Sequence, residues 1–359
     1  MTHDKLSIIE PEAEDFFDPA LQMNPNEGEE VREMEIGTPL HGKRLDMALS
    51  ELLPEFTRSY LQRLLLDGQI QVLPTQSLFA SEAPDAEKVY KPSSKVRAGM
   101  RVKVELKPTE QSLAFVPQDI PLEVLFEDEH LRVINKPAGL VVHPAPGNWS
   151  GTMLNGLLHM DPQAKFVPRA GIVHRLDKDT SGLMVVAKSR ECMDKLVQMI
   201  AQRQVHREYL ALVQGACPVG KRMEVYQAIG RDPRNRLRMA VVDLATQSGK
   251  SAHTSCLSLA NHDQHALIYC QLHTGRTHQI RVHLAWQGFP LVGDTLYGGR
   301  AIASLSRQAL HAFRLSLDHP FTGQHMSWSA PWPHDLQLAS QELGLSYNLK
   351  NIPVDMILD

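Results

Sequence analysis

His174-Arg175-Leu176-Asp177-Lys178-Asp179-Thr180-Ser181-Gly182 runs directly into Leu183-Met184-Val185-Val186-Ala187-Lys188. The first nine residues read as a short polar loop ending at a glycine, and the apolar run after it reads as a strand buried in a core. Charged groups are thereby held at the edge of a rigid element. The order His, Arg, Asp, Lys, Asp sets cations around Asp177, which favours an ionised carboxylate able to act as nucleophile or base. A salt-bridged turn between two strands carries the same pattern and is the commoner role for an arbitrary Asp.

Outward from this loop, strand signals fall at 122–126, 131–135, 140–143 and 172–173 on one side. They fall at 208–213, 238–242 and 266–272 on the other, with helices expected at 153–159 and 191–202. Strands and helices interleave without strict alternation, which predicts an α+β domain built on a mixed, largely antiparallel sheet, over 121–345. A Pro- and Ser-containing linker at 108–120 separates it from a small α/β unit at 33–107. In that unit Leu45, Ala48, Leu49 and Leu52 have helical spacing, a second helix is expected over 59–67 with Gly68 as its stop, and strands are expected at 69–72 and within 95–104. Residues 1–32 form an acidic tail and 346–359 a C-terminal tail.

The net charge of −4 conceals a division along the chain. Residues 1–35 sum to about −9 and the remainder to about +5. A mildly basic body suits a phosphate-bearing partner, with the acidic leader read as a solvated, disordered segment. The apolar runs are too short to span a bilayer and the first residues lack a signal-peptide core, so no membrane association and a cytoplasmic location are expected. Cys192, Cys217, Cys256 and Cys270 have neither metal-type spacing nor close pairs in sequence, and are expected to be small buried side chains.

Four further segments carry chemistry. Leu131–Pro144 ends two apolar strands in Asn-Lys-Pro and His-Pro turns, assigned to shaping a site floor. In Arg207-Glu208-Tyr209-Leu210-Ala211-Leu212-Val213, alternation puts Tyr209 on the face of Ala211 and Val213. In His273-Thr274-Gly275-Arg276-Thr277-His278-Gln279-Ile280-Arg281-Val282-His283, Arg281 lies between Ile280 and Val282 on what reads as an apolar strand. There it requires a carboxylate partner. Arg276 follows a glycine on a loop and more naturally faces a phosphate. The three histidines are not joined by Cys or carboxylate at ligand spacing, so no metal is expected. In Phe289–Gly299, Leu291 or Val292 can wall a pocket, with Val292 the better candidate for core packing, while Asp294 and the glycines set a turn. A belt of Arg203, Arg207, Lys221, Arg222, Arg231, Arg234, Arg236 and Arg238 against three acids fits a phosphate track.

Together the motif loop and these segments, spanning most of residues 120–332, resemble the RluA-type pseudouridine synthases. With the upstream unit, the pattern is most similar to the RluD-like branch that modifies large-subunit ribosomal RNA. The resemblance implies Asp177 as the catalytic carboxylate, Arg281 as its ion-pair partner, Tyr209 against the target base and Leu291 near it. Arg175 would occupy the space left by a flipped-out uridine. It implies no cofactor, since the isomerisation exchanges neither electrons nor an external group.

The unit at 33–107 resembles the alpha-L RNA-binding motif of a small-subunit ribosomal protein, implying RNA contacts through Arg44, Arg58 and Arg63. It departs from that motif at 73–91, where a longer loop replaces a tight turn. The expected partner is ribosomal RNA, with no obligate protein partner and a monomeric state. Other readings are a synthase acting on transfer RNA, a non-catalytic RNA-binding assembly factor, and a glycosidase using Asp177 with Asp179.

Overall fold

The computed structural model describes residues 30–54, 58–73, 90–106, 112–145, 147–235, 237–348 and 352. The acidic stretch 1–29, most of the loop at 73–91 and Arg236 lie outside the described residues. The chain divides into two compact units, Met1–Val116 and Pro117–Asp359.

In the first unit, β1 (Glu30–Glu35), α1 (Leu45–Leu52), α2 (Arg58–Leu66), β2 (Ile70–Leu73) and β3 (Arg101–Leu106) follow in order. The strands form an antiparallel sheet, β1-β3-β2. Leu45 and Leu49, one helical turn apart, and Leu61 from α2 are fully buried with Val102 and Val104, the inward residues of β3. The strand β1 takes in Glu30, Val31 and Arg32, which composition assigned to the tail. Their partners are Leu106, Glu105 and Val104. A backbone ladder forms through N–H and C=O groups and tolerates polar side chains, so composition hides it.

The second unit is built on a nine-stranded sheet among the described residues. Its strands are β4 (Glu123–Glu127), β5 (Leu131–Lys136), β6 (Ser181–Ala187), β7 (His206–Gln214), β8 (Arg222–Val225), β11 (Thr254–His262), β12 (His265–Leu272), β13 (Leu310–Asp318) and β14 (His325–Ser329). The order β4-β5-β6-β13-β7-β12-β11-β8, with β14 beside β13, is antiparallel except where β6 meets β13. A separate ribbon pairs β9 (Ile229–Arg231) with β10 (Met239–Val241). The sheet is therefore mixed and largely antiparallel, as the sequence predicts. The segments 140–143 and 172–173 contribute only isolated bridges, Val141 to Thr152 and Ile172 to Val186.

All seven residues of β6 are buried, the signature of a strand covered on both faces. Met184 and Val186 join the core beneath α3 (Met153–Met160) and α5 (Gln279–Trp286), while Leu183, Val185 and Ala187 join that beneath α4 (Arg190–Ala201). In β7, Tyr209, Ala211 and Val213 share the first core, as alternation predicts, and Leu210 and Leu212 pack with Leu336 and Ala339 of α6 (His334–Glu342). Gly182 makes the parallel contact possible. Its φ is +117°, and a Cβ built on it would lie 2.2 Å from the Ala312 carbonyl oxygen. Cys256 and Cys270 face each other across β11 and β12 with their sulfurs 3.7 Å apart, and all four cysteines are buried and free. No helix among the described residues is long and apolar enough to cross a membrane.

Candidate active site

The loop 174–180 leads into the β6 end of the parallel contact and is fixed from several sides. His174 accepts the Val185 amide on Nε2 at 3.0 Å, so its proton sits on Nδ1. Desolvation of the ring, with the Arg207 cation nearby, lowers its pKa to about 3. It is therefore a neutral strut against β6 and not one of the cations around Asp177, which corrects the charge order read from sequence. Arg307 donates to the Asp179 carbonyl at 2.9 Å, and its guanidinium is held by Asp335. Lys136, at the end of β5, is completely buried and donates Nζ to the carbonyls of Pro137, Leu140 and Lys178. Burial lowers its pKa to about 7 against the pull of Asp177 and Asp179. One cation thus ties the Asn-Lys-Pro turn to the motif loop.

Asp177 presents its carboxylate at the end of this loop with 15 % of the side chain exposed. Arg281 Nη1 donates to Oδ2 at 3.1 Å, and His278 Nε2 lies 4.0 Å from Oδ1. The Arg281–Asp177 pairing implied by the resemblance is thus present, although on a different element. Arg281 lies on α5, not on a strand. Residues 279–284 are all buried, so the helix shows no polar face, and its Ile-Arg-Val alternation imitates a strand.

Asp294, which its sequence surroundings place in a turn, is the second carboxylate of the site. Its two oxygens accept Nε and Nη2 of Arg281 at 2.7 and 2.9 Å, while its own side chain is 1 % exposed. This fork fixes the plane of the guanidinium and leaves Nη1 directed at Asp177. The hydrogen bonds and charges of the two carboxylates outweigh the effect of burial and hold the Arg281 pKa above its ordinary value. A buried arginine at this position needs a carboxylate, and a guanidinium with several donors can take two.

The Arg281 guanidinium also lies 4.9 Å from the ring centroid of Tyr297. The Tyr297 hydroxyl accepts the Met239 amide at 2.9 Å and sits 2.8 Å from His278 Nδ1. Burial lowers the His278 pKa in spite of Asp177. Its ring follows an αL backbone, φ 57°, that begins α5 and turns the imidazole to the site.

The remaining expected residues are distributed as follows. Tyr209 is 4 % exposed, and burial pushes its phenol up to about 12, with Asp177 among the charges acting on it. Arg175 is exposed and makes no ion pair among the described residues, and its charge helps lower the pKa values of His143 and His278. Leu291 is fully buried in the core with Tyr209 and Ile280, so in this arrangement it supports the site from behind. Val292 is also fully buried, on the opposite core. Arg276 is half-buried, with Nε donating to the Ser251 carbonyl at 3.1 Å.

The basic belt is not one continuous surface. Arg207 is buried within β7, and Arg238 pairs with Asp232 and lies over Tyr297. In the first unit, Arg44 and Arg58 are half-exposed and both hold the fully buried Asp46, which Gln62 also contacts. Burial alone would raise the Asp46 pKa, but these donors outweigh it and hold the carboxyl well below the usual range. The side chain of Arg63 lies outside the described residues.

The three histidines of 273–283 separate. His278 faces Asp177, and His283 is buried between Thr254 Oγ1 and the Gln227 carbonyl. His273 instead meets Glu224 of β8 and His253, just before β11. Glu224, His253 and His273 place one possible ligand atom each within 4.8 Å of one another, a group that spacing along the chain did not reveal.

The result is a partly exposed carboxylate, backed by an oriented guanidinium and a neutral imidazole, with a protonated phenol and a free arginine nearby. Such a site suits nucleophilic or proton-abstracting chemistry at carbon. Residues 130–286 match the family model described as RNA pseudouridylate synthase. The chain is 42% identical over 352 residues to ribosomal large subunit pseudouridine synthase D of Neisseria meningitidis serogroup A, covering 94% of this chain and 89% of that one. It is 45% identical over 325 residues to the protein of the same name from Nitrosomonas europaea, covering 88% and 89%. Among solved structures, human RNA pseudouridylate synthase domain containing 1 superposes with a TM-score of 0.51 at 24% identity, covering 67% of this chain and 96% of that one, and shares the fold.

Proposed function

Because this chain belongs to the RNA pseudouridylate synthase family, it is an enzyme that isomerises uridine to pseudouridine in RNA, and we propose that its substrate is large-subunit ribosomal RNA, with Asp177 as the catalytic carboxylate. The names of the relatives support the choice of RNA. The observation that carries the choice of residue is the chain Asp294–Arg281–Asp177, in which a buried, doubly held guanidinium terminates on a carboxylate that reaches solvent.

The reaction breaks the bond from the sugar to the ring nitrogen, turns the base and joins it through a ring carbon. A uridine in folded RNA must first leave its stack. The exposed Arg175, two residues from Asp177, is the group on this loop able to fill the gap. Asp177 then attacks the sugar or ring carbon, or removes a sugar proton to give a glycal. Both routes start from the same carboxylate, which Arg281 holds by a hydrogen bond from Nη1. Tyr209, protonated at neutral pH, stacks on the base and offers its hydroxyl to the proton that must move between ring atoms. The protein acts as a cytoplasmic monomer in this reading, with Arg276 and the first unit contributing phosphate contacts.

The test is Asp177→Asn with unmodified large-subunit ribosomal RNA transcript. Pseudouridine formation is expected to disappear while the dissociation constant for the RNA changes by no more than a few-fold. An active Asn variant would remove Asp177 from the role. RNA binding by a wild-type protein that forms no pseudouridine would favour a non-catalytic assembly factor instead.

A further inference from the structure

Tyr226, just beyond β8, is the outermost of three stacked rings. Its centroid lies 4.0 Å from that of His253 with 14° between the planes, and His253 lies 4.0 Å from His273 at 8°. The two inner rings are locked. Glu224 Oε2 lies 2.7 Å from His253 Nε2 and accepts the Ser255 hydroxyl at 2.7 Å, and Ser255 Oγ is 2.7 Å from His273 Nε2. The His253 amide donates to Thr274 Oγ1 at 2.9 Å. Tyr226 itself remains 68 % exposed although one face is covered by His253. Its opposite face is therefore a flat, pre-ordered aromatic surface open to solvent.

Two cations lie near the histidine part of this stack. Arg276, three residues after His273, reaches across to the Ser251 carbonyl, two residues before His253, and is half-buried. Arg203 is close enough to act on His273. An open aromatic face, with guanidinium groups in the same neighbourhood, suits an unpaired base and its phosphate. The segment from His273 to His278 places a limit on the distance to the reacting site, because His278 lies beside Asp177 and five residues span at most about 17 Å.

We propose that Tyr226 is a stacking step for an unpaired nucleobase of the RNA substrate that flanks the target uridine, with Arg276 taking the adjoining phosphate. The proposal rests on the reading of this chain as an enzyme acting on RNA. Chelation of a metal by Glu224, His253 and His273 does not fit the ring geometry. An imidazole binds a metal in its own plane at about 2.0–2.1 Å, and one ion cannot lie in the planes of two parallel rings that are stacked face to face. The three candidate ligand atoms are moreover already engaged with one another or with Ser255.

The experiment compares the full-length wild-type protein with Tyr226→Ala, Tyr226→Phe and Tyr226→Trp in binding unmodified large-subunit ribosomal RNA transcript at one fixed salt concentration. Loss of one base–aromatic stack is expected to weaken the Ala variant by about 5- to 100-fold. Phe, which keeps the ring, should bind within about twofold of wild type. Trp should bind at least as tightly, with its added fluorescence quenched by the RNA. Because the ring is exposed, the Ala variant is expected to fold, and an unchanged thermal midpoint checks this.

An Ala variant that binds like wild type overturns the proposal. So does a one-to-one zinc titration that is lost in His253→Ala and accompanied by no effect of Tyr226→Ala on RNA. If wild type forms no pseudouridine but Tyr226→Ala still loses affinity, the reaction assignment fails and the stacking step stands. If wild type modifies the transcript and Tyr226→Ala binds it normally, the reverse holds.

Discussion

At the residue scale, the site depends on a carboxylate that never touches solvent. Asp294 holds two nitrogens of Arg281, and Asp177 receives only the third. Asp294→Asn removes the charge that balances a buried guanidinium and frees its plane to rotate. Activity on ribosomal RNA is expected to fall by about 100-fold, the scale of a displacement near 1 Å in a catalytic group. Stability should fall by about 1–3 kcal/mol, the cost of an incompletely paired buried group. Single-turnover kinetics beside urea denaturation measure the two. Wild-type kinetics in the Asn variant would show that the Arg281 fork has no part in orienting Asp177. The motif loop was legible because it concentrates unlike charges in nine residues. Asp294 was not, because its partner lies 13 residues away and its own surroundings look like a turn.

At the scale of elements, burial explains both what could be read and what was missed. α1 and α4 announce themselves by one-sided apolar spacing and β7 by alternation. α5 is buried on nearly every side, and in that setting six residues carry no period that separates helix from strand. β11 and β13 also escaped. Their polar residues, among them Thr254, Ser258, His311 and Ser316, are buried and hydrogen-bonded or paired within the sheet, which blurs the apolar runs. The glycine ending the motif loop was read correctly as punctuation, and the structure supplies the reason. Gly182→Ala places a methyl within van der Waals overlap of the Ala312 backbone at a φ that L-residues avoid. The sheet must separate there. A loss of more than about 3 kcal/mol, seen as a large drop in the denaturation midpoint, is expected. A near-neutral effect would mean that β6 and β13 part easily.

At the scale of the whole molecule, the two units should respond differently to acid. In the second unit, burial lowers the His174 pKa to about 3 and that of His311 to about 4. An unfolded histidine binds a proton near pH 6.5, so between that value and about 4 the unfolded state holds more protons than the folded one. Stability therefore falls as pH falls through this window, by about 1 kcal/mol per histidine per pH unit. In the first unit the Asp46 carboxyl pKa is depressed as well, but from a lower starting value. Its contribution is therefore intact above about pH 4 and is lost only below that. Calorimetry between pH 7 and pH 4.5 should show the transition of the larger unit moving down while that of the smaller one holds. Equal movement of both would contradict the separation.

The parallel contact between β6 and β13 has a further consequence in time. Ser181 and His311 meet across 130 residues of chain. During synthesis, a ribosome must therefore deliver Asp177, then Arg281 and Asp294, and still continue through β13 before the motif loop gains its flanking strand. Contacts of such long range form late in folding because the intervening chain must first be ordered. A growing chain carrying every reactive group of the site would still be inert, and the enzyme would gain its activity only once β13 has been made and paired.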